Sequence, residues 1–399
     1  MDEYLEDLLE IEEIAEWEEM INRQRRQRKK RIDPLLYYSE KEFQQRYRLS
    51  KELFTELLER IEPQLPNSLD QRGQRISPCN QFLVTLRYMA TGNFQLTLGD
   101  CSDMAQSSVS RCLKDVCAAV ATLAQEFIKF PTPQDENKMM MEFSQIAGMP
   151  GVIGCVDGTH IPIKSPGGPN AELYRCRKIF FSINVMVVCD ASLRFTNVIV
   201  NWPGSAHDSR IFSSSRLAQS LESGMYRGFL LGDSGYPCRP YIMTPFLAPN
   251  THKQRHYNVA HIRTRNLIER AIGLLKKRFA VLSIPVRTKL NNTKNIIIAC
   301  AVLHNCAITN RIPLQDEENL ELDPGEPDVG IIERADNIQG AQRRAHIVDS
   351  FFFSLSRLCI YFLLIRFKVV QGTPGSGNLH FNNKSIILLL ALLKNHFKF

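Results

Sequence analysis

Four acidic residues in the central part of the sequence stand at the ends of predicted strands and helices, where they could share a ligand. Asp157 ends the apolar run GVIGCVDG, Asp208 follows FTNVIVNWPG, and Asp233 ends the strand-like part of GFLLGDSGY. Glu269 lies on the late predicted helix NLIERAIGLLKKRF. Because strands that run alike bring their carboxyl ends to one edge of a sheet, we expect these side chains to converge.

Converging carboxylates predict a metal site. Clustered carboxylates repel one another, and a divalent cation removes the cost of holding them ionised together. Oxygen atoms are the ligands that Mg²⁺ prefers. Two such ions about 3.5–4 Å apart stabilise the attacking and the leaving oxygen of an in-line phosphoryl displacement. Asp157, Asp208, Asp233 and Glu269 are therefore predicted to hold one or two Mg²⁺ ions, with Mn²⁺ as a substitute, in a nuclease that activates water for attack on a phosphodiester.

Each acid taken alone also has a simpler interpretation. Asp157 could form a plain turn, Asp208 could cap a helix, and Asp233 could cap the turn that follows it. Glu269 could pair with Arg265 one helical turn earlier. The metal site is favoured only when the four acids are taken together.

The helix that carries Glu269 is rich in basic residues. Arg265, Glu269 and Lys276 fall on one face, whereas the apolar residues between them face the core. Basic residues beside a metal-binding carboxylate would bind phosphates, so Lys164, Arg265 and Lys276 are predicted DNA contacts. Further residues of this helix are expected to extend the basic surface: Arg270, Lys277 and Arg278. A solvated charged face is the alternative.

Two histidines stand beside two of the acids. His160 follows Asp157 by three residues, and His207 directly precedes Asp208. They are interpreted either as groups that orient ligands and substrate or as ordinary structural histidines, and the sequence leaves both interpretations open.

The region from residue 40 to residue 130 has the apolar spacing of helices. One helix is predicted over FQQRYRLSKELFTELLERIEPQL as far as Pro66, and a second over CNQFLVTLRYMATG, closed by Gly92. The short helix CSDMA, a turn and a longer helix capped by Ser107 or Ser108 then give helix-turn-helix spacing.

Short polar side chains and an arginine at the start of the longer helix suit phosphates and base edges. We therefore expect Ser107, Ser110 and Arg111 to contact DNA. An ordinary helical hairpin is the alternative.

Composition limits the class of protein. The chain has 399 residues, 44% of them hydrophobic, and a net charge of +7, which suits a nucleic-acid partner without establishing one. Its eleven cysteines include no C-x-x-C pair, so neither a zinc ribbon nor a disulfide framework is indicated. The acidic, amphipathic start is not expected to be a signal peptide. We expect a nuclear protein that is also found in the cytoplasm.

The sequence divides into five predicted segments. An acidic helix and a basic arm occupy 1–35, and RQRRQRKKR is interpreted as a nuclear import signal, a DNA-phosphate arm or a solvated helix end. A helical domain covers 36–135, an α/β nuclease domain with one central sheet covers 148–304, and an acidic linker covers 305–349. The atypical apolar tail, 350–399, is not expected to span a membrane because its apolar runs are short or interrupted by arginine.

Several blocks resemble the signature blocks of Harbinger-type DDE transposases and of nucleases derived from them: GCVDGTHI, NWPGSAHDSRIF, LLGDSGYP, MTPF, IERAIGLLKKRF and ACAVLHN. Between Asp233 and Glu269, 35 residues intervene, which matches the DD35E pattern of such enzymes. The resemblance covers about residues 40–310. It implies a ribonuclease-H-like α/β fold, with a mixed five-stranded sheet flanked by helices and preceded by an all-α domain that contains a helix-turn-helix.

The resemblance also implies roles. Asp157, Asp233 and Glu269 correspond to the catalytic acids, and Asp208 to an additional metal ligand. Such enzymes often act with a separate Myb- or SANT-like protein that binds DNA and helps nuclear entry.

Two functions are therefore considered. The first is a metal-dependent DNA endonuclease, either a transposase or a nuclease derived from one. The second is a catalytically silent DNA-binding or adaptor protein, in which the transposase body is kept as a scaffold. The intact set of four acids favours the first only weakly, since a recently inactivated enzyme would still carry it.

Overall fold

The computed structural model describes residues 33–68, 75–314 and 337–352, together with residues 14, 16–18 and 20. The predicted basic arm, residues 315–336 of the acidic linker and the tail from residue 353 onward lie outside the described residues. None of the helices in these ranges is long and apolar enough to cross a membrane.

The helices are α1 Pro34–Tyr37, α2 Glu40–Tyr47, α3 Lys51–Ile61, α4 Pro78–Thr91, α5 Gln95–Ser102, α6 Gln106–Thr122, α7 Ala124–Phe127, α8 Glu136–Ala147, α9 Asp208–Ser213, α10 Arg216–Glu222, α11 His252–Arg278, α12 Leu290–Thr309 and α13 Ile338–Phe351. The strands are β1 Val152–Pro162, β2 Ser182–Cys189, β3 Phe195–Pro203, β4 Phe229–Leu231 and β5 Ile242–Met243.

Capping residues fix the ends of the first helices. Ser39 forms a capping box with Glu42 at the start of α2, and the Ser50 side chain caps α3. Between these helices, Arg48 has a φ of 67° and ends α2. The prediction of one uninterrupted helix as far as Pro66 is therefore wrong, because a left-handed residue and a new serine cap divide the segment.

Helices α5 and α6 have the order and the short connection of a helix-turn-helix. Asp103 has a φ of 49° and ends α5, and α6 follows at once, with Ala105 as its N-cap. The short helix is thus Gln95–Ser102 rather than CSDMA. Ser107 and Ser108 lie in the first turn of α6, so the prediction that one of them caps this helix is wrong.

A glycine in α5 makes the connection possible. A Cβ atom at Gly99 would lie 2.4 Å from the carbonyl oxygen of Met104, so only glycine lets the connection pass this close to the helix. The preceding helix, α4, ends at Gly92 in the left-handed conformation, as predicted.

One five-stranded sheet occupies the centre, in the order β3-β2-β1-β4-β5. Strands β1, β2 and β3 pair antiparallel, whereas β4 runs parallel to both β1 and β5. This mixed sheet with flanking helices confirms the ribonuclease-H-like fold expected from the resemblance. Strand β5 has only two residues, too few to give an alternating pattern in the sequence.

Two apolar clusters cover the two faces of the sheet. The larger contains Cys155 and Val187 and continues through α11 and α12 into the helical region. The smaller contains Val156 and Met186 and is covered by α9 and α10. Helix α12 packs on both α6 and β3 and continues past residue 304, where a segment boundary is predicted. The helix-turn-helix and the sheet therefore share one core.

Candidate active site

The parallel pairing of β1 with β4 places two predicted acids side by side. Cys155 lies opposite Leu231, the last residue of β4. Asp157 and Asp233 each follow this pair by two residues along chains that run the same way, and their carboxylates interact electrostatically. The prediction that Asp157 ends its strand is wrong, because β1 continues to Pro162 by pairing with β2 after β4 has ended.

Asp208 approaches strand β1 at Gly158, the residue that follows Asp157. It is the first residue of α9, and a Cβ atom at Gly158 would lie 2.3 Å from its carboxylate. Oδ1 of Asp208 accepts a hydrogen bond of 2.6 Å from Nδ2 of Asn184 on β2. The glycine after Asp157 therefore serves the close approach of a second carboxylate, not a turn.

Gly158→Ala is expected to displace the Asp208 carboxylate and to lower the free energy of unfolding by about 1–3 kcal/mol. Chemical denaturation measures the loss. A double-mutant cycle with Asp208→Ala supplies the control, because alanine at position 158 should cost less once the carboxylate is gone. An equal cost in both backgrounds would show that this contact does not restrict residue 158.

Arg265 of α11 joins two of the acids. Its Nη2 donates a hydrogen bond of 2.9 Å to Oδ2 of Asp157, and its Nη1 donates one of 2.5 Å to Oε1 of Glu269. The side chains of Arg265, Asp157 and Glu269 are only 16%, 15% and 26% exposed. Arg265 and Glu269 are one helical turn apart, so the arginine brings the acid of α11 to the acid of β1. The helical ion pair between Arg265 and Glu269, which is the simpler interpretation of Glu269, is therefore present.

Burial and charge both act on Asp157. Burial raises its pKa from 3.8 to about 7. The Arg265 guanidinium opposes this rise, whereas the nearby carboxylates of Asp233 and Asp208 add to it. Burial alone would lower the pKa of Arg265, but the attraction of Asp157, Asp233 and Glu269 outweighs burial and raises it. Asp157 is thus the centre of the acidic group, in contact with one cation and close to two further acids.

Tyr236 is a buried polar neighbour of the three aspartates. It is 3% exposed, and within the described part of the chain its hydroxyl has no hydrogen-bond partner. Burial raises its pKa, and the charges of Asp208, Asp157 and Asp233 raise it further. The phenol therefore stays protonated, as a neutral O–H donor beside the acids.

Asn184 and Tyr236 are the two residues of this site that the sequence predictions miss. Asn184 interrupts the otherwise apolar strand SINVMVVC, and a buried amide in such a strand usually serves a polar partner. Tyr236 stands in the block GDSGYP, three residues after Asp233. Both features are visible in the sequence, but neither predicts which acid lies near the side chain.

The side chains suit a hard divalent cation chemically, since four carboxylates supply only oxygen ligands. In residues 33–68, 75–314 and 337–352, however, no three His, Cys, Asp or Glu side chains already lie close enough together to hold an ion. Arg265 binds both Asp157 and Glu269, so a cation bound by these acids would replace the guanidinium as their partner.

The residues predicted to help the acids have protein partners. Nζ of Lys276 donates to the carbonyl oxygen of His160 at 3.1 Å, and burial lowers the pKa of this lysine to about 8. Nδ1 of His160 lies 3.0 Å from the hydroxyl of Ser182, and burial lowers the pKa of the ring to about 4. His207 is exposed, with Nδ1 2.6 Å from Nη2 of Arg177. His160 is thus a neutral, half-buried histidine at pH 7.

Arg278 does not extend the basic surface, so that prediction is wrong. Its side chain is 1% exposed, and it donates hydrogen bonds to the carbonyl oxygens of Arg48 and Ile312. The cause is the helical period, since residue 278 lies on the same stripe of α11 as the buried Leu274 and Leu275.

The predicted DNA contacts outside α11 are exposed. Ser107, Ser110 and Arg111 lie on the solvent side of the first turns of α6, and Nη2 of Arg111 donates to the hydroxyl of Ser108. Lys164 is exposed just after the end of β1. Their contact with DNA stays a prediction.

Comparison with known proteins agrees with this geometry. Residues 156–305 match the DDE superfamily endonuclease domain, and this range includes all four acids. The chain is 37% identical to the Homo sapiens protein "Putative nuclease HARBI1" over 243 residues, which are 60% of this chain and 69% of the human protein. The chain belongs to the family of Harbinger transposase-derived nucleases.

The chain is also similar to proteins of other organisms. The Xenopus laevis protein of the same name is 32% identical over 263 residues, which are 64% of this chain and 75% of that protein. The Arabidopsis thaliana "Protein ALP1-like" is 27% identical over 274 residues, 64% of this chain and 66% of that protein. No solved structure matches the chain. DDE endonuclease domains generally use divalent metals, in agreement with an all-oxygen set of side chains.

Proposed function

We propose that this protein is a divalent-metal-dependent DNA endonuclease, either a transposase or a nuclease derived from one. The observation that carries the proposal is the meeting of acids around Asp157 in a chain of the DDE endonuclease family. Asp157, Asp233 and Glu269 are the proposed catalytic acids. Together with Asp208 they are the proposed ligands of one or two Mg²⁺ or Mn²⁺ ions.

A bound divalent cation would stabilise the charge that develops on the phosphate and would lower the pKa of water. The protein's part is to position the carboxylates. The parallel pairing of β1 with β4 directs Asp233, two residues beyond β4, toward Asp157, and Gly158 lets Asp208 reach β1. The amide of Asn184 orients Asp208 by donating a hydrogen bond to one of its carboxylate oxygens.

Arg265 has two proposed roles. Without a cation, its guanidinium balances the charges of Asp157 and Glu269 and keeps the buried acids together. Once a cation takes over these carboxylates, the guanidinium is available to bind a phosphate, which is the role predicted from the sequence.

DNA is the proposed substrate because the family is one of DNA endonucleases and the helix-turn-helix presents an exposed polar and basic helix start. A Myb- or SANT-like partner and a nuclear and cytoplasmic location are further proposals. Fractionation of cells that express the tagged chain, followed by affinity capture from the nuclear fraction, tests both.

Nicking of supercoiled plasmid DNA tests the endonuclease. The wild-type chain should cleave with Mg²⁺ or Mn²⁺ and not in EDTA. Asp233→Asn should reduce the rate by about a thousand-fold, because it removes one charged ligand from the site. Glu222→Gln, which changes an exposed carboxylate of α10, is the control and should cleave at the wild-type rate.

The silent DNA-binding or adaptor protein remains the second candidate, favoured by the fact that Arg265 already neutralises two of the four acids. Under this alternative, the wild-type chain binds DNA but does not nick it with either metal. Cleavage that continues at an equal rate in EDTA and in Asp233→Asn would contradict the proposed metal-dependent mechanism.

A further inference from the structure

A polar pocket of about 200 Å³ lies where the helix-turn-helix meets the rest of the protein. Helix α6 contributes Ser110 and Lys114 to its lining. The segment before α12 contributes Arg287, Thr288 and Lys289, and the first turn of α12 contributes Asn292. The pocket thus joins the proposed DNA-binding helix to the segment 287–289, for which the sequence predicts no DNA contact.

Positive charge dominates this pocket. Lys114, Arg287 and Lys289 all line it, and no carboxylate does. Over residues 33–68, 75–314 and 337–352, none of these three side chains forms an ion pair, and Arg287 instead lies over the ring of Phe94 at 4.0 Å. Three neighbouring cations repel one another unless an anion lies between them, so the pocket favours an anionic ligand.

Polar groups in the lining suit the oxygen atoms of a phosphate. Ser110 supplies an exposed hydroxyl and Asn292 a half-buried amide. Helix α12 begins here, and its N-cap residue, Lys289, gives no side-chain hydrogen bond to the free N–H groups of the first turn. These donors add to the three cations, which carry the main attraction.

The position of the pocket indicates a phosphate of a nucleic-acid backbone. Ser107, Ser110 and Lys114 follow one another at helical spacing on the exposed side of α6, so the pocket continues the face that the helix-turn-helix offers to DNA. On its other side, the backbone N–H of Lys164 donates to the carbonyl oxygen of Val286 at 3.0 Å. The residue that follows Val286 is Arg287, so the cations continue to the end of β1.

Strand β1 connects this basic row with the acids. Ile163 forms a parallel bridge with Val286, and Asp157 lies six residues earlier on the same extended chain. Six residues of strand span about 20 Å, which is roughly the length of six base pairs of duplex. One DNA backbone could therefore contact the pocket and the acids at the same time.

We propose that the pocket formed by Ser110, Lys114, Arg287, Lys289 and Asn292 binds a phosphate of the DNA backbone a few base pairs from the cleaved bond. This inference rests on the proposed function, because it takes DNA as the substrate. The segment 287–289 would then hold the duplex at a fixed position relative to the helix-turn-helix and the acids.

Salt-dependent DNA binding by the full chain tests the proposal. Anisotropy of a fluorescent duplex, in EDTA and at several salt concentrations, gives the slope of log K against log salt. In Arg287→Gln/Lys289→Gln, the slope should fall by about two and the affinity by roughly 10- to 100-fold near 0.1 M salt. Lys138→Gln/Arg216→Gln removes the same charge from exposed positions of α8 and α10 and should leave the slope unchanged.

The outcomes separate this proposal from the endonuclease. A reduced slope in a wild type that does not cleave supports the pocket and overturns only the nuclease. An unchanged slope in a chain that binds and cleaves DNA overturns only the pocket. A wild type that binds no duplex at any salt concentration overturns both.

A second ligand distinguishes DNA phosphate from free phosphate. Calorimetric titration with inorganic phosphate should show at most weak binding to the wild type. Millimolar or tighter binding that disappears in Arg287→Gln/Lys289→Gln, while the salt slope for DNA stays unchanged, would assign the pocket to a free phosphate and overturn the DNA contact.

Discussion

Asp157→Asn is expected to stabilise the metal-free protein at pH 8 while it abolishes DNA cleavage. The carboxylate of Asp157 is buried close to Asp233 and Asp208, and Arg265 only partly compensates for this environment. A neutral amide of the same shape removes the buried charge. A pKa rise from 3.8 to about 7 corresponds to roughly 4 kcal/mol, which sets the upper limit of the gain.

Proton linkage determines whether Asp157 makes the metal-free protein more or less stable as the pH rises. Asp157 has a higher pKa in the folded protein than in the unfolded chain, so the folded state binds the extra proton between about pH 4 and pH 7. This carboxyl therefore lowers the stability of the metal-free protein as the pH rises through that window. Asp157→Asn removes this contribution, and its stabilising effect should grow from near zero at pH 4 to its full value above pH 7.

Three histidines act in the opposite direction within the same window. Burial lowers the pKa values of His160, His261 and His304 to about 4, so they reduce stability as the pH falls below about 6.5. The test must therefore compare Asp157→Asn with the wild type at each pH. The histidines contribute equally to the free energies of unfolding of the two proteins, so the difference between these free energies contains only the contribution of residue 157.

Urea denaturation in EDTA at pH 4.5, 6 and 8 measures the difference, and plasmid nicking with Mg²⁺ measures the lost activity. Asp100→Asn, which changes an exposed acid of α5, is the control and should keep the wild-type stability in urea. A variant that is less stable than the wild type at pH 8 would mean that the pairing of Asp157 with Arg265 outweighs the burial of the charge.

The sequence predicts the acids and most of the strands because these features depend on local pattern. Apolar runs rich in valine and isoleucine predict β1, β2 and β3. The proximity of Asp157 and Asp233 follows from the rule that parallel strands meet at one edge. These parts of the site need no knowledge of distant contacts.

Other features depend on tertiary partners and have weaker local signals. Strand β5 is too short to show a period, and Asp157 lies inside its strand only because β2 is longer than β4. The charge of Arg278 predicts a surface position, although the helical period places this residue on the buried stripe of α11. For long basic side chains, helical position is thus a better guide to burial than charge.

The role of Arg265 depends on a contact that local sequence patterns do not predict. The sequence gives its spacing from Glu269, and that spacing equally predicts a helical ion pair and a phosphate contact. Only the structure shows that the same guanidinium also binds Asp157, on a strand more than a hundred residues earlier. The charge balance of the metal-free site could therefore not be predicted from the sequence.

Arg265→Gln is expected to destabilise the metal-free protein at pH 8 by about 3 kcal/mol or more, and added Mn²⁺ should restore most of the loss. The substitution leaves the largely buried carboxylates of Asp157 and Glu269 without a cationic partner. A divalent cation bound to these acids supplies the missing charge. Because the cation no longer competes with the guanidinium, Mn²⁺ should raise the melting temperature of the variant more than that of the wild type.

Thermal melting with increasing Mn²⁺, compared with melting in EDTA, measures this effect without any requirement for cleavage. Arg263→Gln is the matched control, since Arg263 is exposed on the same helix two residues earlier and should respond to Mn²⁺ like the wild type. Equal Mn²⁺ shifts in Arg265→Gln and the wild type would show that arginine and metal do not share these carboxylates. The larger shift, by contrast, would identify Arg265 as the counter-ion that a metal replaces.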